Sequence, residues 1–203
     1  MANTQSNKPL TFALSYGFVE GSAHGRKITK LLKQVGMKPA KSLHDADVII
    51  AHSAGCWLMP DRARPKLILY IGMPLPLTRP QKIWLKSNWL SISRLLAKGH
   101  FLRIIQGFAL NTYYALRHPL RSLNIVRGAK TSEPTIFPDA VSIFIANRFD
   151  PWPKSAKLDD YIKHENWAFL SLPGGHDNIW QHPAYYVDII NNYARLLAKT
   201  DHR

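Results

Sequence analysis

Asp47-Val-Ile-Ile-Ala51-His52-Ser53-Ala54-Gly55 is the run on which the architecture turns. Its first five residues are mostly apolar and few, as in strands buried on both faces of a parallel sheet. A serine follows closely, with Ala51 two residues before it and Gly55 two after. A chain that bends sharply out of a strand has no room for bulk at those two positions. The bend lifts the hydroxyl above the C-terminal end of the strand, beside the N–H groups that open the next segment. The competing reading has Ser53 simply capping a helix that Cys56-Trp57-Leu58 would begin.

On either side of this run, short apolar segments alternate with helical patterns. Leu10 to Tyr16 reads as the first strand and meets a turn at Gly17. Ile28, Leu31, Leu32 and Val35 then fall on one side of a helix. Lys66 to Ile71, Val141 to Ala146 and Trp167 to Leu172 are further strands, and a last helix runs from about Ala184 to Leu197. This alternation predicts an α/β fold with a mainly parallel sheet flanked by helices. Residues 75–135 break it. A proline-rich exit, Gly72 to Pro80, leads to one helix marked by Leu85, Trp89, Ile92 and Leu96, and to a second from Phe101 to Leu116. The expectation is a core formed by residues 1–74 and 136–203, with residues 75–135 inserted as a helical cap or lid.

Serine is a weak nucleophile unless a base takes its proton and an acid orients that base. Of nine histidines, only His176 sits in a loop after a late strand, within Leu172-Pro-Gly-Gly-His176-Asp-Asn178. The matching acid is Asp150, in Ala146-Asn-Arg-Phe-Asp150-Pro-Trp152. Each has a plainer reading, His176 as a surface turn residue and Asp150 as the cap of a following helix. Their placement after successive core strands is where open α/β sheets bind ligands. The turn after the first strand, Tyr16-Gly-Phe-Val-Glu-Gly-Ser22, can present a backbone N–H toward the serine. Phe18 is the preferred donor and Gly17 the fallback. With the N–H of Ala54 it would form an oxyanion hole. Gly17, Trp57, Trp152 and Trp180 lie beside these turns and are candidate walls of a substrate pocket. His52, next to the serine, reads as structural rather than as a second base, and Cys56 as a small buried residue.

Together YGFVEGS (16–22), AHSAG (51–55), NRFDPW (147–152) and GGHDN (174–178) resemble the α/β-hydrolase superfamily. The resemblance implies an oxyanion loop, a nucleophile elbow, an acid loop and a histidine loop, in that order, with the insertion where members carry a lid. Two departures stand out. Nothing before Leu10 has room for the N-terminal hairpin of that family, and the strand between the first two is abbreviated (Met37 to Lys41) or missing. The elbow carries Ala51 where glycine is usual, as in small bacterial lipases.

The 203 residues are 46% hydrophobic and 20% charged, which excludes wholesale disorder. One cysteine excludes a disulfide framework and a cysteine-rich zinc site. Lysine and arginine number 27 against 13 acids, for a net charge of +14. Thirteen of those cations, and no acid, fall between Arg62 and Ser132. Such a field attracts an anionic membrane surface or another anionic partner, or else is only a solvated face. No nucleic-acid motif accompanies it, so nucleic acid is not favoured. No metal and no cofactor are expected, since His24, His44 and His182 make no ligand pair. The polar start, MANTQSNKPL, and the lack of a membrane-length apolar run lead to an expected cytoplasmic location, with peripheral membrane contact through the cap.

The activity these features predict is serine-hydrolase cleavage of small carboxylic esters through an acyl-enzyme, with an apolar acyl group under the aromatic cap. A thioesterase or acyltransferase would use the same residues. A non-catalytic protein that recruits an anionic partner through the basic cap is the alternative from another class.

Overall fold

The computed structural model describes residues 9–17, 20, 22–73, 89, 92–93, 96–97, 99, 101–120, 123, 137–150 and 166–200. Its elements are β1 (Thr11–Ser15), α1 (Arg26–Gln34), β2 (Lys38–Pro39), β3 (Val48–His52), β4 (Leu67–Ile71), α2 (Phe101–Arg117), β5 (Val141–Asn147), β6 (Trp167–Leu172), α3 (Asn178–Gln181) and α4 (Pro183–Thr200). Six strands form one sheet in the order β2-β1-β3-β4-β5-β6. All five pairings are parallel. The fold is therefore the expected mainly parallel α/β sheet flanked by helices. The abbreviated strand is present as β2, only two residues long.

Period-two alternation divides the strand side chains between two cores. Val48, Ile50, Leu67, Leu69, Ile71, Ile143 and Ile145 face one side, where they meet Ile28 and Leu32 of α1 and Tyr186, Val187 and Ile190 of α4. Ile49, Ala51, Ile68, Tyr70, Phe144 and Ala146 face the other, with Cys56, Met59, Ala63 and Phe137. Tyr70 and Phe144 are register partners and stack at 4.8 Å. At the opposite edge from the loops of interest, Asp47 accepts hydrogen bonds from both the backbone N–H and the hydroxyl of Thr11, tying β1 to the entry of β3.

One sequence expectation changes. Instead of a helix beginning at Cys56, residues Ser53–Trp57 make one short 3-10 turn. Pro60 follows within three residues and cannot donate to a continuing helix. Within the expected cap, α2 matches the second helix, and Trp89, Ile92, Ser93, Leu96 and Ala97 are helical as expected for the first. The rest of that first helix, and the boundaries of the insertion, fall outside the described residues. Among the described residues no helix is long and apolar enough to cross a membrane.

Gly55 shows how closely the turn after β3 packs on β1. Its carbonyl accepts the Ser15 hydroxyl at 2.7 Å, and a Cβ on Gly55 would lie 2.2 Å from the Ser15 carbonyl oxygen and 2.8 Å from the Tyr16 carbonyl carbon. Backbone cannot swing aside as a side chain can. Gly55→Ala should therefore cost about 1–3 kcal/mol, read as a fall in Tm of about 2–12 °C. An unchanged Tm would show that β1 and the turn can separate without cost.

Candidate active site

Parallel pairing brings the C-terminal ends of β1, β3, β4, β5 and β6 to one edge, and the loops that leave them carry Glu20, Ser53, Asp150 and His176. Ser53 follows β3 directly with φ at +53°, the one described non-glycine residue in the left-handed region. That conformation costs a side-chain-bearing residue on the order of 1 kcal/mol or more. Packing of Ala51, Ala54, Gly55 and Cys56, all buried, holds it in place. Ser53 itself stays half-buried. Ala54 stands in the opening of the 3-10 turn, where N–H groups lack an acceptor within the segment.

Asp150 and His176 leave β5 and β6, and the structure brings them together. The Nδ1 of His176 lies 2.8 Å from the Oδ2 of Asp150. The Asp150 side chain is wholly buried and that of His176 is one-fifth exposed. A carboxylate only accepts hydrogen bonds, so Nδ1 carries the proton and Nε2 is left as the basic nitrogen. Backbone bonds lock the two loops together. Arg148 N–H donates to Leu172 at 2.8 Å, Phe149 N–H to Gly174 at 2.9 Å and Asp150 N–H to Asn147 at 2.8 Å. Beneath them Tyr186 donates to the Asn147 side-chain oxygen at 2.8 Å and accepts from Asn178 at 3.1 Å.

The loop after β1 approaches Ser53 closely: a Cβ on Gly17 would lie 2.9 Å from the Ser53 Cβ. The Gly17 N–H, however, donates to the Glu20 carboxylate at 2.6 Å, so the fallback oxyanion donor is already engaged. Phe18, the preferred donor, lies outside the described residues, as does Trp152. Trp180 is half-buried and packs edge-on against His52 at 5.2 Å. Trp57 is half-buried at the end of the turn, and its indole N–H meets no acceptor among the described residues. A cleft of about 550 Å³ opens beside Tyr16, Ser22, Arg26, Lys30 and Lys33, along α1, and includes none of Ser53, Asp150 and His176.

Sequence reasoning missed Glu20. It is buried, and His52 Nδ1 lies 2.8 Å from its Oε1 and 2.9 Å from its Oε2. Trp180 Nε1–H donates to Oε1 at 2.9 Å. The other ring nitrogen of His52 donates to the main-chain carbonyl of His176 at 2.9 Å. Burial alone would raise the Glu20 pKa, but the charge of His52 and the three donors outweigh it and lower it to about 2. Burial likewise works against a charged His52, and Glu20, with smaller help from Asp177 and the His176 carbonyl, raises it to about 9. The signal available in the sequence was a lone acid in YGFVEGS and a histidine beside the serine, neither of which had been given a partner. Cys56 is fully buried, and that burial pushes its thiol up.

Glu20, His52 and Asp177 have ligating atoms within 4.8 Å of one another. Both nitrogens of His52 and both oxygens of Glu20 already have protein partners, so the set works as an ion pair rather than as a cation cage.

Solved structures of the same shape span nearly the whole chain. ClbQ from the colibactin NRPS/PKS pathway superposes with a TM-score of 0.62 at 11% identity, covering 95% of this chain and all of that one. MGS-M2, an α/β hydrolase enzyme from a Medee basin deep-sea metagenome library, gives 0.59 at 10% identity, over 95% of this chain and 91% of that one. This chain has the α/β-hydrolase fold. The RedJ thioesterase of the prodiginine biosynthetic pathway in Streptomyces coelicolor gives 0.56 at 12% identity, over 92% and 86% of the two chains. No family model and no curated protein matches the sequence. In α/β-hydrolase terms, Ser53 occupies the turn after a central strand, Asp150 and His176 the loops after the last two strands, and Glu20 the loop after the first long strand.

Gly72 lies between the acid and the histidine. It has φ +56°, and a Cβ there would lie 2.7 Å from Asp150 Oδ2 and 3.0 Å from His176 Nδ1. Gly72→Ala should split the Asp150–His176 hydrogen bond. In proton NMR the low-field Nδ1–H resonance of His176 should vanish in the variant, and its persistence would show that the pair tolerates a methyl group.

Proposed function

We propose that this chain is a serine hydrolase that cleaves carboxylic esters through an acyl-enzyme. The observation that carries the reading is the 2.8 Å Asp150–His176 hydrogen bond at the same sheet edge as Ser53, whose φ is +53°. In the proposed cycle, Nε2 of His176 removes the Ser53 proton as the hydroxyl oxygen attacks the acyl carbonyl. Asp150 holds the imidazole and stabilises its cationic form. The N–H groups of Phe18 and Ala54 receive the oxyanion. His176 then returns the proton to the leaving alcohol, and the same base activates the water that releases the acid. Esterases and thioesterases among solved proteins of this shape favour acyl transfer to water as the reaction class. A thioester substrate would pass through the same steps, with a thiol leaving.

Residues 75–135 are proposed as the cap over this site, with an apolar acyl group as the part of the substrate it covers. Phe101, Leu102, Phe108, Leu116 and Leu120 are all more than half exposed. They lie within the acid-free segment that carries 13 of the cations. An apolar helix in a basic field suits the surface of an anionic bilayer.

Two measurements test these readings. A fluorophosphonate probe should label the wild type and fail on Ser53→Ala, while Asp150→Asn should lower kcat on p-nitrophenyl esters by about 10⁴-fold. A folded wild type that does not label would sink the hydrolase reading in favour of a binding protein. Flotation with phosphatidylserine vesicles should recover the protein at low salt and lose it at high salt, whereas no flotation at low salt would remove the membrane surface as a partner.

A further inference from the structure

Glu20 and His52 form a buried ion pair that the cycle above leaves without a task. Together they touch four segments around the site. The Glu20 carboxylate accepts from the Gly17 N–H in the loop after β1, from Trp180 in α3 and from His52 at the end of β3. His52 adjoins Ser53 in the chain, and its Nε2 reaches the carbonyl of His176 in the loop after β6 at 2.9 Å. The two imidazole rings lie 4.8 Å apart. His52 is fully buried, so no substrate atom contacts it.

From this geometry we propose that Glu20 and His52 act as a pair of positioning residues, a charged clamp that fixes the oxyanion loop and the His176 loop to each other across Ser53. The inference rests on the hydrolase reading for its consequence in rate, and on the hydrogen bonds alone for the clamp itself. The physical requirement is a count of protons. To donate to both Glu20 and the His176 carbonyl, the imidazole needs a proton on each nitrogen, which only the cation has. Glu20 must in turn accept three donors, which a carboxylate does with two oxygens. A glutamine at position 20 has one acceptor oxygen, and its amide would face one of those donors. A buried ion pair of this kind need not add stability over an apolar substitute. Its use here is register between the loops that leave β1 and β6.

The sign of the pH dependence follows. The charged groups facing His52 are Glu20 and Asp177, with the His176 ring beside it and Asp150 behind that ring. His52, raised above its ordinary 6.5, keeps both protons through neutral pH and gives one up as pH rises through about 9. Glu20, held low, stays ionised until pH falls toward about 2. The clamp is therefore closed at neutral pH and opens on the alkaline side.

Histidine ring NMR on the wild type tests the clamp without any variant. His52 should show two exchange-protected ring N–H protons at pH 7 and titrate near pH 9, and titration near pH 6.5 would overturn the proposal. Kinetics test the consequence. Glu20→Gln should lower kcat and the fluorophosphonate labelling rate about 10- to 100-fold with KM within about threefold, as expected for a lost catalytic alignment. It should also move the alkaline limb of the rate profile downward in pH. Wild-type kcat and an unmoved limb in that variant would overturn the proposal. A wild type that never labels at Ser53 would instead defeat the hydrolase reading and leave the clamp to be decided by the His52 titration.

Discussion

Parallel pairing in one continuous sheet is the constraint from which the site follows. The register sets Ser15 against Ala51, His52 against Ile71, Ile71 against Ile145 and Asn147 against Leu172, so that five strands end together. A slip of one residue in any strand would send its apolar side chains to the opposite core and move its loop by a residue's rise. The two cores resist that slip, because every residue of β3 and of β4 is buried. The position of Ser53 relative to Asp150 and His176 is thus a consequence of apolar packing on residues that take no part in chemistry.

Two carboxylate–histidine pairs lie side by side on this edge, and burial distinguishes them. His52 is sealed from water with both nitrogens bonded inside the protein, and the Glu20 carboxylate holds it as the cation of an ion pair against the cost of burial. His176 keeps a fifth of its side chain exposed and commits Nδ1 to a fully buried carboxylate. The same two residue types so meet two surroundings: a fixed charge where water is excluded, and an imidazole with one side open, as the proposed general base requires. Trp180 separates the inner pair from the surface, stacking on Tyr16 at 5.9 Å and donating to Glu20.

What could be read from the sequence is what depends on local pattern. Strands such as Val48–His52 and Leu67–Ile71 declare themselves by being apolar at every position, and parallel order then puts residues 53, 150 and 176 at one edge. Whether Asp150 reaches His176 was not legible, because that distance depends on loop conformation and on Gly72, which lies in a third loop. Glu20 was less legible still: its partners are 32 and 160 residues away, and no periodicity links them. The turn after Ser53 was misread as a helix, since its small residues suit helix and turn alike and Pro60 decides between them. The Gly17 N–H was a reasonable oxyanion candidate by position, and only the fold shows Glu20 folding back to take it.

Identity of 10–11% with structures that superpose over 95% of this chain shows how little of the fold is written in particular residues. A parallel sheet requires apolar strands and tight turns, and many sequences supply them. Chemistry requires a few groups at the sheet edge, and Ser53, Asp150 and His176 sit there in the connections that follow their strands. Neither demand is placed on residues 75–135, which carry 10 of the 27 cations and a single acid, Glu133. A segment released from both constraints can diverge without disturbing the sheet edge that carries Ser53, Asp150 and His176. On the proposed hydrolase reading, selectivity is therefore expected to follow changes in that segment, and the rate of the acyl-transfer step to follow the loops that Glu20 and His52 bridge.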